Sequence, residues 1–140
     1  MTAVRREVIL ETPREEVWRA LTQPERLREW FANEVELDVR PGGEGTFRWG
    51  DGSTRRASVD AVEEERRLAF TWRDDADGGG AGAETHVELA LEDAPEGTRL
   101  TVVESLTAGS GPRASALAGE WSWGVAWLAA LPRLRRLATV

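Results

Sequence analysis

A stretch near the C-terminus, from Pro112 to about Leu137, reads PRASALAGEWSWGVAWLAALPRLRRL and has to be enclosed by whatever precedes it. On a helical wheel Leu117, Trp121, Gly124, Val125, Leu128 and Leu131 share one side, at the i, i+3/i+4, i+7 spacing of a core-facing helix. Trp123, Trp127 and Leu134 widen that side. Ser115, Ser122, Arg133 and Arg136, with some alanines, make the only polar strip. A helix apolar around most of its girth needs cover on several sides. Gly, Pro and Arg interrupt it too often for a membrane span. The rest of the chain is therefore expected to form a surface that wraps it.

The upstream sequence supplies such a surface. Val8 and Leu10 share one face of a strand over Arg5–Glu11. Thr12-Pro13-Arg14-Glu15 reads as a capping box, with Thr at N-cap, Pro at N1 and Glu at N3. The helix it starts carries Val17, Trp18 and Leu21 and stops before Pro24. Thr22-Gln23-Pro24-Glu25 repeats the cap and starts a second short helix with Leu27, Trp30 and Phe31. From Glu34 the period becomes two. Val35, Leu37 and Val39 form the first apolar face, followed by Gly45, Phe47 and Trp49, then Ala57, Val59 and Ala61. Leu68, Phe70 and Trp72 come next, then Val87, Leu89 and Leu91, and finally Leu100 and Val102 with Glu104 in phase. Pro41-Gly42-Gly43, Gly50-Asp51-Gly52 and Ala94-Pro95-Glu96-Gly97 punctuate the strands as turns. A Gly/Asp-rich loop covers 74–83, and Gly109-Ser110-Gly111 is a hinge before Pro112.

The order is strand, two helices, six strands, long helix. Short turns between successive strands imply an antiparallel meander. The expected fold is α+β: a seven-stranded curved antiparallel sheet, apolar on one face, gripping a terminal helix. The 140 residues make one domain, 1–140, able to bury roughly 68% of its unfolded surface.

Composition excludes several functions. With no cysteine there is no disulfide, thiolate catalysis or Cys-based zinc site. A net charge of −7 argues against nucleic acid as a partner. No secretory h-region or membrane-length apolar run is visible, so a cytoplasmic protein without membrane contact is the expectation.

TPREEVWRALTQPERLREWF, VELDVRPGGEGTFRW, and RRLAFTW followed by TRLTVVES and the Trp-rich tail resemble the START-like (SRPBCC) superfamily with its helix-grip fold. Together they resemble the bacterial branch named after activators of the heat shock protein 90 ATPase. That superfamily includes lipid binders and polyketide cyclases. The chaperone activators carry an additional N-terminal domain that nothing here resembles.

The resemblance implies an aromatic-lined cavity under the tail helix; the residues alone fit a filled core equally well. The candidate ligand-binding set is Phe47, Trp49, Phe70, Trp72, Leu89, Glu104, Trp121, Val125 and Leu128. Gly45, Ala57 and Ala61 on the same face leave room beneath the helix. Glu104 either escapes to solvent at a bulge or strand end, or stands at the cavity as a polar group that orients a ligand or acts as a general base. His86, the only histidine, faces outward by phase, so no Ser-His-Asp arrangement forms. Asp74, Asp75 and Asp77 beside Gly78 fail as a calcium loop: counted from Asp75, position 5 is Gly79 and position 12 is His86. Arg133, Arg135 and Arg136 either suit the helix C-terminus or form a patch for an anionic partner. Trp123 and Trp127 belong either to the core or to a homodimer surface.

These features point to binding of a small hydrophobic or aromatic ligand, with no obligatory cofactor and no metal. The alternatives are a cyclase- or hydrolase-like enzyme using Glu104, and an interaction module for a chaperone.

Overall fold

Period-two alternation dictates one buried face per strand, and the backbone follows it. The computed structural model describes residues 3–74, 83–109 and 117–130. The strands are β1 (Ala3–Leu10), β2 (Glu34–Leu37), β3 (Glu44–Arg48), β4 (Thr54–Glu63), β5 (Arg67–Asp74), β6 (Glu84–Ala94) and β7 (Gly97–Ala108). The helices are α1 (Arg14–Thr22), α2 (Pro24–Trp30) and α3 (Glu120–Ala130). The strands form one antiparallel sheet in the order β1-β7-β6-β5-β4-β3-β2. This is the expected helix-grip arrangement: β2 to β7 run as a meander, β1 closes against β7, and α1 and α2 bridge the two edge strands.

The register carries the apolar residues across strands in rows. Val35 pairs with Phe47, Ala57 with Trp72, Phe70 with Val87, and Leu89 with Val102. All of these are buried and pack with Trp121, Val125 and Leu128 of α3. A bulge between Val59 and Ala61 moves the phase by one, so Val62, not Ala61, faces Leu68. The expectation that Ala61 continues the inner face is corrected by that extra residue.

The helix starts also differ from the capping boxes read in the sequence. Pro13 and Gln23 are the N-caps, and neither helix has a side-chain cap bond. The Glu16 and Val17 amides donate to the Pro13 carbonyl instead. Thr12 is buried, and its carbonyl accepts the Thr98 hydroxyl at 2.7 Å, which ties the start of α1 to β7. The Thr22 hydroxyl turns back to the Trp18 carbonyl at 2.7 Å. The Thr22 hydroxyl thus bonds back into α1 instead of capping α2, and Thr12 is held through its carbonyl by β7. Pro24 does sit in the first turn of α2.

Gly97 explains the tight approach of the β6–β7 turn to the end of β1. Its φ is +150°, and a Cβ there would lie 2.2 Å from the Leu10 carbonyl oxygen. No side chain fits that space.

The tail helix expected over Pro112–Leu137 is described for Glu120–Ala130. Ser110 to Ser115 with Ala116, and Leu131 onward with Arg133, Leu134, Arg135 and Arg136, lie outside the described residues, as does the Asp75–Gly78 segment of the rejected calcium loop. Leu117, Trp121, Val125 and Leu128 are buried as the wheel requires. The opposite side is not enclosed: Trp123 is 75% and Trp127 60% exposed. The sheet and α2 cover one side of α3 only, and the two tryptophans i and i+4 project from the other. Among the described residues no helix is long and apolar enough to cross a membrane.

Candidate functional site

The site grows from Phe31, at the C-terminal end of α2. Its ring lies 4.2 Å from that of Trp121, 5.5 Å from Trp49, 5.8 Å from Phe47 and 6.0 Å from Trp72. Phe70 joins Trp121 at 5.3 Å and Trp72 at 6.3 Å. Most of these pairs are edge-on or tilted, the geometry the ring quadrupole favours. Two indole N–H groups lock the hub in place. Trp30 Nε1 donates to the Ala20 carbonyl and Trp49 Nε1 to the Phe31 carbonyl, both at 2.8 Å. Gly124 lets α3 approach this end of α2, since a Cβ there would sit 3.0 Å from the Phe31 ring and 3.2 Å from Trp30.

The structure thus brings Phe47, Trp49, Phe70, Trp72 and Trp121 into one aromatic assembly. Leu89, Val125 and Leu128 lie in the same buried cluster. The room expected at Gly45 is occupied: a Cβ there would stand 2.7 Å from Leu37 Cδ1. Among the described residues, three polar atoms in this interior have no hydrogen-bond partner, namely Trp72 Nε1, Trp121 Nε1 and Thr85 Oγ1. Thr85 pairs with Trp72 across β5 and β6. Buried orphan donors of this kind are uncommon and mark places where a further acceptor belongs.

Glu104 is fully buried. Its side chain does not reach solvent at a strand end; it meets the N-terminus of α3. Oε1 accepts the Trp121 amide at 2.9 Å, and Oε2 accepts the Ser122 amide at 3.1 Å and the Ser122 hydroxyl at 3.0 Å. A carboxylate there satisfies orphan helix amides and complements the positive end of the dipole. Burial nevertheless pushes its pKa up to about 7, against the lowering effect of those three bonds, and Glu120 adds repulsion. Its cross-strand partners, Val4 and Val87, are apolar and give no counter-charge.

Next to it lies a charged group that the sequence reading did not single out. Arg55 Nε and Nη2 reach Glu120 Oε1 at 2.9 and 2.8 Å, and Nη1 reaches Asp74 at 3.2 Å. The guanidinium carbon stands 5.5 Å from the Trp49 ring centroid, a cation–π contact. Burial, with help from Asp74 and Asp51, holds the Glu120 carboxyl above its usual range in spite of Arg55.

Trp30, Phe31, Trp49, Glu120, Trp123, Gly124 and Trp127 wall an open cleft of about 400 Å³. Trp49 and Phe31 face both this cleft and the buried rings. Sequence reasoning named Trp49 but missed Phe31, Trp30 and Glu120. The adjacent Trp30-Phe31 pair closing the second helix was the available signal. His86 lies on the outer face, its Nδ1 3.3 Å from Asp60. Among the described residues no cluster of acidic and histidine side chains could hold a metal ion.

Residues 11–135 match the family described as Activator of Hsp90 ATPase homolog 1-like protein. No functionally curated protein matches significantly. Among solved structures, DynU16, a protein of the dynemicin biosynthetic locus, is 30% identical with a TM-score of 0.72. That alignment covers 99% of this chain but 47% of DynU16, so the chain spans about half that protein's length. MLL2253 from Mesorhizobium loti is 26% identical, with a TM-score of 0.75 over 97% of this chain and 96% of its own. The Aha1 dimer of Colwellia psychrerythraea is 16% identical, with a TM-score of 0.74 over 92% and 94%. With a START-like helix-grip fold and a family match across residues 11–135, the chain belongs to the Activator of Hsp90 ATPase homolog 1-like family.

Proposed function

We propose that the protein binds a small hydrophobic or aromatic molecule between the sheet and α3, without an obligatory cofactor, and that the molecule enters at the cleft walled by Trp30, Phe31, Trp49, Trp123 and Trp127. The exposure of Trp123 and Trp127 carries this reading. Two large apolar side chains held in water lose the stabilisation of burial. Here they are not scattered but form the outer wall of a concave site whose floor is aromatic. Rotation of the Phe31 ring would connect the cleft to Phe47, Phe70, Trp72, Leu89, Trp121, Val125 and Leu128. The unpartnered N–H groups of Trp72 and Trp121 would then be donors for an acceptor on the ligand. Glu104, with both oxygens bonded to α3, holds the helix that forms the far wall.

Tryptophan fluorescence during titration with aromatic and lipid-like compounds tests the reading. Saturable binding is expected, weakened about tenfold or more, ~1.4 kcal/mol, by Trp49→Ala or Trp127→Ala. Trp72→Phe keeps a ring but removes the N–H, and should weaken only ligands that carry an acceptor. Binding that none of the three changes would place the site elsewhere.

Glu104 favours a second reading. A buried carboxyl near neutrality suits a general acid or base, and DynU16 comes from a biosynthetic locus. A cyclase- or hydrolase-type enzyme would use Glu104 once the first turn of α3 releases it. Turnover of polyketide-like substrates, abolished by Glu104→Gln, would establish that chemistry.

A further inference from the structure

We propose that the ligand taken at the aromatic cleft is an organic cation: a quaternary ammonium, or a similarly weakly hydrated ammonium, carried on an apolar body. This rests on the cleft being the binding site proposed above and names the chemical class it selects.

The walls supply the first argument. Four indoles and one phenyl ring, from Trp30, Trp49, Trp123, Trp127 and Phe31, converge on one space. Each ring face carries negative electrostatic potential, and tryptophan carries the most. A neutral apolar ligand would gain burial from such walls; a cation would gain burial and the attraction of the ring faces. The space, about 400 Å³, is large enough for a trimethylammonium group with an attached chain or ring.

Charge supplies the second. Among the described residues, the one ionisable side chain lining the cleft is a carboxylate, Glu120, and no basic side chain lines it. Both Arg55 contacts with Glu120 are made to Oε1, which among the described residues leaves Oε2 for a further cation. Asp51 and Asp74 add their negative field at Glu120, and Asp74 also reaches the Arg55 guanidinium. An anionic ligand would meet this field with repulsion. The position of Arg55, 5.5 Å from the centroid of Trp49, shows that a ring of this cleft already accepts a cation. Over the whole chain the net charge of −7 favours approach of positive ligands.

Hydration selects the kind of cation. Apart from Glu120, the described side chains that line the cleft offer no oxygen that could replace water around a primary ammonium. A quaternary nitrogen has no N–H to satisfy and loses little on leaving water, whereas a primary ammonium is strongly hydrated.

Calorimetry and tryptophan fluorescence on the full chain test the proposal with three probes. These are choline, benzyltrimethylammonium, and neohexyl alcohol, the choline analogue in which carbon replaces nitrogen. The expected result is saturable binding of both cations, at least about tenfold tighter than neohexyl alcohol. Added salt should erode that preference. Glu120→Gln should erode it too, weakening the cations more than neutral ligands. Trp127→Ala, at an exposed position that folding tolerates, should weaken cations and neutral aromatics together. Equal affinity for choline and neohexyl alcohol overturns the cation class but leaves the cleft as an apolar site. Binding of neutral aromatics without binding of either cation does the same. No binding of any probe or neutral aromatic overturns both readings. So does a dimer, seen by sedimentation, that Trp127→Ala dissociates and that excludes the cations, because a second copy would then occupy the cleft.

Discussion

Replacing Trp121 by alanine is expected to lower the unfolding free energy by ~3–5 kcal/mol, the range for a large buried aromatic. Trp121 is 1% exposed and touches four rings from three other elements or their ends: Phe31, Phe47, Phe70 and Trp72. Truncation opens a cavity at the one point where α2, β3, β5 and α3 meet, and the surrounding rings are held by the backbone and cannot collapse into it. Against a total stability of roughly 5–15 kcal/mol the loss is severe. Trp127→Ala, two turns along the same helix but on its exposed side, should stay within about 0.5 kcal/mol of wild type. Denaturant midpoints for the two variants check the contrast. A midpoint for Trp121→Ala close to that of Trp127→Ala would show that α3 is not anchored through this ring.

The second large effect is a pH dependence set by Glu104. In the unfolded chain its carboxyl ionises near 4.5; in the fold burial raises that to about 7. Between those values the folded state holds a proton that the unfolded state has released. Stability is therefore fully present below about 4.5 and is lost as pH rises through 7, by ~3 kcal/mol in all. Glu104→Gln removes the titration. The stability difference between variant and wild type should shift in favour of the variant by about that amount from pH 4 to pH 8. Urea melts at several pH values measure it. The subtraction cancels Glu120, whose raised pKa acts in the same direction, and Glu88, which Arg67 lowers. A pH-independent difference would mean that the three hydrogen bonds from α3 compensate the burial of the charge in full.

Much of this architecture was legible because alternation converts directly into a face. Phe47, Phe70, Trp72, Leu89, Leu100, Val102 and Glu104 all lie inward as their phase requires. The phase fails once, at Ala61, where a bulge inserts a residue that no period announces. The capping threonines misled because partners outside the motif decide the outcome: the Thr22 hydroxyl donates to the Trp18 carbonyl, and the Thr98 hydroxyl donates to the Thr12 carbonyl. Trp123 and Trp127 misled for a different reason. Apolar content on a helix says that a side chain favours burial, not that the fold supplies the cover. Where cover is absent the residue is a candidate for binding, and only tertiary structure separates the two. Phe31 was invisible as a hub because the direction of α2 is set by two indole hydrogen bonds, from Trp30 to Ala20 and from Trp49 to Phe31. Glu104 was visible as an inward acid, while its bonding to α3 depends on how a helix seventeen residues later lands on the strand.

The cleft between α2, the end of β3 and α3 is the proposed site of binding. The direct measurement is the set of tryptophan indole N–H resonances in a ¹⁵N–¹H spectrum, followed as a small aromatic or quaternary ammonium compound is added. Saturable shifts are expected at Trp49, Trp123, Trp127 and Trp30, with Trp72 and Trp121 moving when the compound also carries an acceptor, and with Trp18, away from the cleft, unmoved. Shifts confined to Trp18 or to backbone signals of the outer sheet face, or no saturable shift at any indole, would contradict it.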